Sequence, residues 1–357
     1  MAYDIGKEES ERIQFMKLVF CIMVVFIHSY TAEVNFADTV VTAEKSPWMG
    51  MVQLIVSKVI SGCAVPGFFT MSAVLLYRKG FSWRDNVKRK IQTLLVPYFI
   101  LNTFWIAFFY AASSIKALGI FFSSSLFRVP QWGIKEWLDA YLGITRDPVL
   151  YPLWFVRDLF VLNMAARVLK LVIDRIPKIW FVFIMSTLAL NIDSGMFFLS
   201  TQALAFFSLG YYIVKYGLTF SDLDKVPAAV AAFLYAALAM ANYLTIGMAV
   251  HTVFCALSDI AGVFFCAWAS RYFPGMGCKS KLLWVSKYNF SIYLFHELNL
   301  SILRKIWFKM FPADIFLQEA SYFLLPLFII PSCILLSRIM EMAVPGLYRT
   351  VTGGRKQ

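Results

Sequence analysis

Three histidines occur in the 357-residue chain, His28, His251 and His296, and each lies in or beside an apolar run. Imidazole changes protonation near neutral pH, so one held in a dry, ordered place can move a proton in a reaction. His28 is singled out by its spacing: Lys17 precedes it by eleven residues in RIQFMKLVFCIMVVFIHS (12–29). In a helix that interval returns to the same face after three turns, a rise of about 16 Å. One face then carries a cation near the inner surface and an imidazole deep in the span, with Glu33 following toward the outer end. The cation can hold a phosphate-bearing ligand by the rim while the imidazole meets its other end. The plainer alternative is a snorkelling lysine and a histidine bonded to a neighbouring helix.

The remaining ionisable groups in apolar runs are Lys58, Arg157, Asp158, His251, Asp259, His296 and Glu297. A charge in mid-bilayer costs a few kcal/mol, about 2.5–3.5 on insertion scales, so such groups face the bundle interior and often mark a site or pathway. Arg157 and Asp158, in YPLWFVRDLFVLN, are either functional or a buried structural pair; His296 and Glu297, in NFSIYLFHELN, lie toward the outer end of their run, where an interfacial anchor is the simple account. His251 sits at a span end, Lys58 can snorkel outward, and Asp259 is deep with no partner to be named from sequence.

These residues need helices to carry them, and the composition says in what solvent. Hydrophobic types make up 60% of the chain and charged types 15%, with mean hydropathy +0.69. A chain this apolar could build a core but could not cover it with polar surface, so lipid is its solvent. About 20 apolar residues span a bilayer. Candidate spans are 15–35, 51–77, 91–115, 150–172, 178–194, 196–215, 227–245, 248–270, 282–303 and 320–341. The expected architecture is an all-α integral membrane bundle of about ten transmembrane helices, one domain over 1–357, with a long outer loop at about 116–149 and no soluble appended domain. Trp132, Trp137 and Tyr141 in that loop suggest a segment lying in the interface.

The net charge of +12 would suggest nucleic acid in a soluble protein. Here most of the 33 basic residues gather in short segments such as RKGFSWRDNVKRK (78–90) and RVLKLVIDRIPK (167–178), the pattern of cytoplasmic loops. That places both termini in the cytoplasm and excludes nucleic acid as partner; Arg304, Lys305 and Lys309 are the exception, falling outside. The six cysteines have no metal-ligand spacing and read as apolar filler without a disulfide framework, and no metal site is expected. The N-terminal segment has mixed charge and no small-residue cleavage site, so the first span is expected to remain in the mature protein.

Six segments together resemble the acyltransferase-3 family of bacterial membrane acyltransferases. RIQFMKLVFCIMVVFIHS (12–29) is similar to the family's opening helix, with Arg12, Lys17 and His28 in the matching places; Gln14 stands where an acidic residue is common. VPGFFTMSAVLLYRK (65–79) resembles its second element, with Ala73 in place of the usual Gly, and RKIQTLLVPYFIL (89–101) its basic cluster followed by Leu-x-Pro-Tyr. LWFVRDLFVLN (153–163), FFSLGYYIVKYG (206–217) and FSIYLFHELN (290–299) resemble three later elements. Each alone is weak; six in order over about 290 residues are specific.

The resemblance implies a ten-helix bundle of the cytoplasmic membrane that moves an acyl group, acetyl by default, from cytoplasmic acyl-CoA to a hydroxyl of an extracytoplasmic carbohydrate. The partners implied are acyl-CoA as donor substrate, a polysaccharide, lipid-linked sugar or glycolipid as acceptor, and membrane lipids, with no bound cofactor. With such a reaction, His28 is the candidate general base or transient acyl carrier, and Arg157 the candidate for polarising the acyl carbonyl or holding the acceptor. Arg12, Lys17, Arg78, Lys88, Arg89 and Lys90 are candidates to meet coenzyme A phosphates, the loop residues among them being equally readable as plain cytoplasmic-side charges, and Trp154, Glu33 and His296 are candidates to line the substrate. The alternative for the same intramembrane charges is a proton-coupled secondary transporter or flippase. No inverted repeat or pair of Gly/Pro-broken spans supports it.

Overall fold

The computed structural model describes residues 6–30, 33–36, 40–43, 45–78, 82–113, 115, 129–143, 148–192, 199–312 and 314–354. In chain order its helices are α1 (Lys7–Ser29), α2 (Pro47–Leu54), α3 (Ala64–Arg78), α4 (Trp83–Lys90), α5 (Val96–Ser113), α6 (Ile134–Leu142), α7 (Leu153–Arg175) and α8 (Pro177–Ala189). There follow α9 (Thr201–Lys215), α10 (Phe220–Asp224), α11 (Ala228–Leu244), α12 (His251–Ala269), α13 (Lys279–Ser286), α14 (Asn289–Met310), α15 (Ile315–Ala343) and α16 (Pro345–Val351). A two-stranded antiparallel hairpin, β1 (Glu33–Asn35) and β2 (Val40–Thr42), follows α1.

Among the described residues five helical segments are long and apolar enough to cross a membrane: Lys7–Ser29, Pro47–Arg78, Trp83–Ala112, His251–Gly275 and Ile315–Ala343. Pro177–Ala189 and Ala228–Leu244 are apolar but shorter. The chain is an all-α, multi-pass membrane protein. Residues 116–128 of the expected outer loop lie outside the described residues; farther along it, Trp132 and Trp137 pack edge to face at 5.3 Å in and beside α6.

The chain divides into two compact units. The first comprises Met1–Val24, Ile55–Arg89 and Asp158–Asn289. Its helices approach through small residues, as expected where lipid removes the hydrophobic drive between helices and close packing must hold them. At Gly67 an added Cβ would lie 2.4 Å from the Phe20 ring. At Gly210 of α9 it would lie 2.4 Å from the Thr70 carbonyl and 2.7 Å from the Ala73 methyl of α3. That contact explains why Ala73 can stand where Gly is usual: the space its methyl takes is given back by Gly210 on the facing helix. Thr70 Oγ1 donates to the Phe206 carbonyl at 3.2 Å and Tyr77 Oη to that of Ala166 at 2.7 Å, fixing the register.

The second unit comprises Val25–Leu54, Lys90–Arg157 and Phe290–Gln357. Its hairpin closes on α14 through a small core of Val34, Ala43 and Phe308, with Phe36, Val41 and Trp307 packed against it. Glu319 of α15 accepts hydrogen bonds from the backbone N–H (2.6 Å) and hydroxyl (2.5 Å) of Ser46, just ahead of α2. Asp314 caps α15 by accepting from Leu317 N–H at 2.9 Å. One boundary differs from the sequence expectation: the first span does not run to residue 35. α1 stops at Ser29 and Glu33 lies exposed on β1, so it does not share a helix face with His28. Ser29 turns its hydroxyl back to the Val25 carbonyl at 2.8 Å in that last turn.

Candidate active site

The second unit brings two of the three histidines together. His28, in the last turn of α1, packs edge to face on His296 of α14, with ring centroids 5.0 Å apart. Tyr151, just before α7, stands on His28 at 5.8 Å in a similar edge contact. His28 is half-buried and His296 fully buried.

The backbone settles which nitrogen of His296 does what. Nδ1 lies 2.8 Å from the Tyr293 carbonyl and 3.1 Å from that of Ile292. Carbonyl oxygens only accept, so Nδ1 carries the proton and donates. The neutral ring therefore presents Nε2 as an acceptor, and that atom is buried with no hydrogen-bond partner among the described residues. Such a group costs stability unless a ligand or a moving partner completes it.

Arg304, two turns further along α14, reaches back to donate from Nη2 to the His28 carbonyl, placing a cation at the C-terminal end of α1. Tyr293 donates its hydroxyl to the Pro152 carbonyl and packs on Phe155, fixing α14 against the start of α7. Arg157 donates from Nη1 to the carbonyls of Gly143 (2.9 Å) and Leu142 (3.4 Å) at the C-terminal end of α6. Trp154 is half-buried beside Phe155.

A histidine poised beside a second histidine with an open acceptor can shuttle a proton, but the substrate class must come from elsewhere. The acyltransferase-3 family profile, described as an acyltransferase domain, matches residues 10–342. The chain belongs to the acyltransferase-3 family. The acyltransferase is also 25% identical over 369 residues to the succinoglycan biosynthesis protein ExoH of Rhizobium meliloti (strain 1021), covering 97% of this chain and 92% of that one. No solved structure matches it. Family membership makes the chain an enzyme that transfers acyl groups other than aminoacyl, and sets the transporter alternative aside.

The cations of this acyltransferase that are candidates for the donor phosphates are placed unequally in the first unit. Arg12 is buried and fully engaged: its Nη1 and Nη2 donate to the two carboxylate oxygens of Asp224 at 2.6 and 2.8 Å, and its Nε to Ser270 Oγ at 3.0 Å. Its guanidinium lies 4.5 Å over the Phe220 ring. Gln14 thus costs Arg12 nothing, because a carboxylate arrives from 212 residues away. Arg78 is buried too, paired with Glu9 and donating to the Leu218 carbonyl at 2.9 Å. Lys88 and Arg89 are exposed on α4, and Lys17 is half-buried on α1. Asp158 is fully buried and accepts the Ser200 N–H at 2.9 Å, at the start of α9. Asp259 finds a partner in Gln202 Nε2 at 3.4 Å.

Tyr151, Tyr293 and Arg304 were not singled out as site residues from sequence. Arg304 did carry a signal: it is one of the few cations that break the charge asymmetry of the loops. A charge that violates orientation bias is one whose position another requirement has fixed.

Proposed function

We propose that this chain is a membrane O-acyltransferase, acetyl by default, of the cytoplasmic membrane, with ten spans and both termini inside. It takes an acyl group from cytoplasmic acyl-CoA and places it on a hydroxyl of an envelope carbohydrate or exopolysaccharide. The observation that carries this reading is the His28–His296 pair with the open His296 Nε2, in a chain of this family whose relative bears a polysaccharide-biosynthesis name.

In this reading His28 removes the proton from the acceptor hydroxyl as its oxygen attacks the thioester carbonyl. The tetrahedral intermediate collapses, the carbon–sulfur bond breaks, and the coenzyme A thiolate leaves and takes up the proton. His296 Nε2 accepts a hydrogen bond from the imidazolium formed at His28, orienting and stabilising it as a buried carboxylate does in other acyl-transfer sites. If His28 itself carries the acyl group first, the same acceptor orients the ring for attack. Arg304, on the carbonyl of His28, holds the residue's backbone, and Arg157 polarises the acyl carbonyl or holds the acceptor. Lys17 meets donor phosphates, and Trp154 lines the acyl or sugar site.

The test is transfer of labelled acetyl from acetyl-CoA to endogenous polysaccharide in membranes holding equal amounts of wild type and His28→Ala. Transfer is lost in the variant; a wild-type rate there removes His28 from the chemistry.

A further inference from the structure

Outside the histidine site, the first unit contains an open, polar cavity of about 670 Å³. This lies within the roughly 300–1,000 Å³ of small-molecule sites. Arg167 and Lys170 of α7, Lys215 of α9, Tyr77 of α3, Tyr211 of α9 and Trp83 of α4 line it. The basic residues are not scattered surface charges. Lys170 and Lys215 both donate to Asp174, Lys215 also donates to the Ile173 carbonyl at 3.0 Å, and Tyr211 Oη donates to Asp174 at 2.7 Å. Lys170 Nζ stands 5.4 Å over the Tyr211 ring, and Tyr211 packs on Tyr77 at 4.5 Å. Burial alone would raise Asp174, but the hydrogen bonds from Lys170, Tyr211 and Lys215 outweigh it and hold the carboxyl at about 2. One permanent anion therefore orients two lysines, and Arg167 adds a third cation with no hydrogen bond or ion pair among the described residues. The cavity keeps an excess of two positive charges.

Trp83 supplies the other half of the chemistry. Its Nε1 donates to the Met164 carbonyl at 3.0 Å, which fixes the indole, and the ring stays 39% exposed. An ordered, partly bare indole beside clustered cations suits a ligand with a flat aromatic group joined to phosphates, since a nucleobase stacks on such a ring. A basic cluster alone would suit any anion.

The geometry points to this cavity as the docking site for the phosphorylated nucleotide end of the donor, with Arg167, Lys170 and Lys215 on its phosphates and Trp83 against its base. This rests on the acyl-CoA reading above, and it takes the phosphate contacts away from Arg12 and Arg78, which are buried and each have a carboxylate of their own, whereas Lys170 and Lys215 line the cavity and share one. The other source of the same phosphate chemistry is an anionic lipid headgroup.

The full-length protein in nanodiscs of phosphatidylcholine alone is titrated with adenosine 3′,5′-bisphosphate. Wild type binds it; Arg167→Gln weakens binding about tenfold, the worth of one charge-assisted hydrogen bond, and Arg167→Glu abolishes it. No binding by wild type, or equal binding by Arg167→Glu, overturns the assignment. So does the outcome in which the nucleotide fails to bind while wild type, but not Arg167→Glu, retains phosphatidylglycerol in mixed discs, because the cavity is then a headgroup site. In labelled-acetyl transfer, Arg167→Gln raises KM for acetyl-CoA with kcat retained; an unchanged KM also overturns it. A wild type that transfers nothing from acetyl-CoA defeats the donor reading instead, and the nucleotide titration still decides the cavity.

Discussion

His28 and His296 stand edge to face, ring centroids 5.0 Å apart, and the inner ring of the pair is locked by two backbone carbonyls with its Nε2 left open. The arrangement assigns unequal parts. His28 is half-buried and open to a substrate, whereas His296 is fully buried, and in the proposed reaction it would act through its neighbour.

His296→Phe keeps a ring in the cavity but removes the acceptor, and His296→Gln keeps an amide oxygen within reach. The Phe variant should lose about 100-fold or more in kcat with little change in KM for either substrate, as for loss of a general-base partner. The Gln variant should recover part of that loss. Steady-state kinetics of acetyl transfer decide; equal rates in the two variants would mean that only packing matters.

Arg304→Gln removes the cation from the end of α1. The loss should fall on kcat by about tenfold through displacement of His28, an oriented-group effect, while the protein still accumulates in membranes. Arg304→Lys should recover part of the rate but not all of it, because an ammonium lacks the planar fork. Wild-type kinetics in Arg304→Gln would show that the contact is incidental.

Asp224→Ala strips a buried guanidinium of its bidentate partner. Asp224 is itself 32% exposed, which screens the pair, so the cost should be about 1.5–3 kcal/mol, the range for hydrogen bonds to charged groups. Thermal unfolding of the detergent-solubilised protein should shift down accordingly. The double variant Arg12→Met with Asp224→Ala should be less destabilised than the single one, since no buried charge is then left unpaired.

Gly210→Leu places a side chain where even a Cβ would stand 2.4 Å from the Thr70 carbonyl. The α3–α9 packing must open, so the protein should fail to accumulate or should unfold at markedly lower temperature. Ala73→Gly in the same background should recover some of the loss, because the Ala73 methyl is the second atom that the new side chain meets. Normal accumulation of the single variant would refute the close approach.

The residues of the opening helix show how far the chain itself speaks. Composition and hydropathy declare lipid as solvent, and among the described residues five helices are long and apolar enough to cross it. The Lys17–His28 interval and the order of six motifs lead to the family that residues 10–342 match. All of that is local information, since periodicity and spacing act over a few turns of one helix. What the tertiary structure decided is which residues from distant segments meet. Nothing in the local pattern of either segment says that His296 lies on His28, that Arg304 returns to the His28 carbonyl, or that Asp224 answers Arg12. Each is a pairing between helices, set by side-chain packing and by the need to satisfy buried charge. The same applies to the end of α1: hydropathy carries the span on to residue 35, whereas packing of the hairpin core on Phe308 draws the chain out of the helix after Ser29. Glu33 passes to a strand in consequence, and His28 is left as the last titratable side chain of α1.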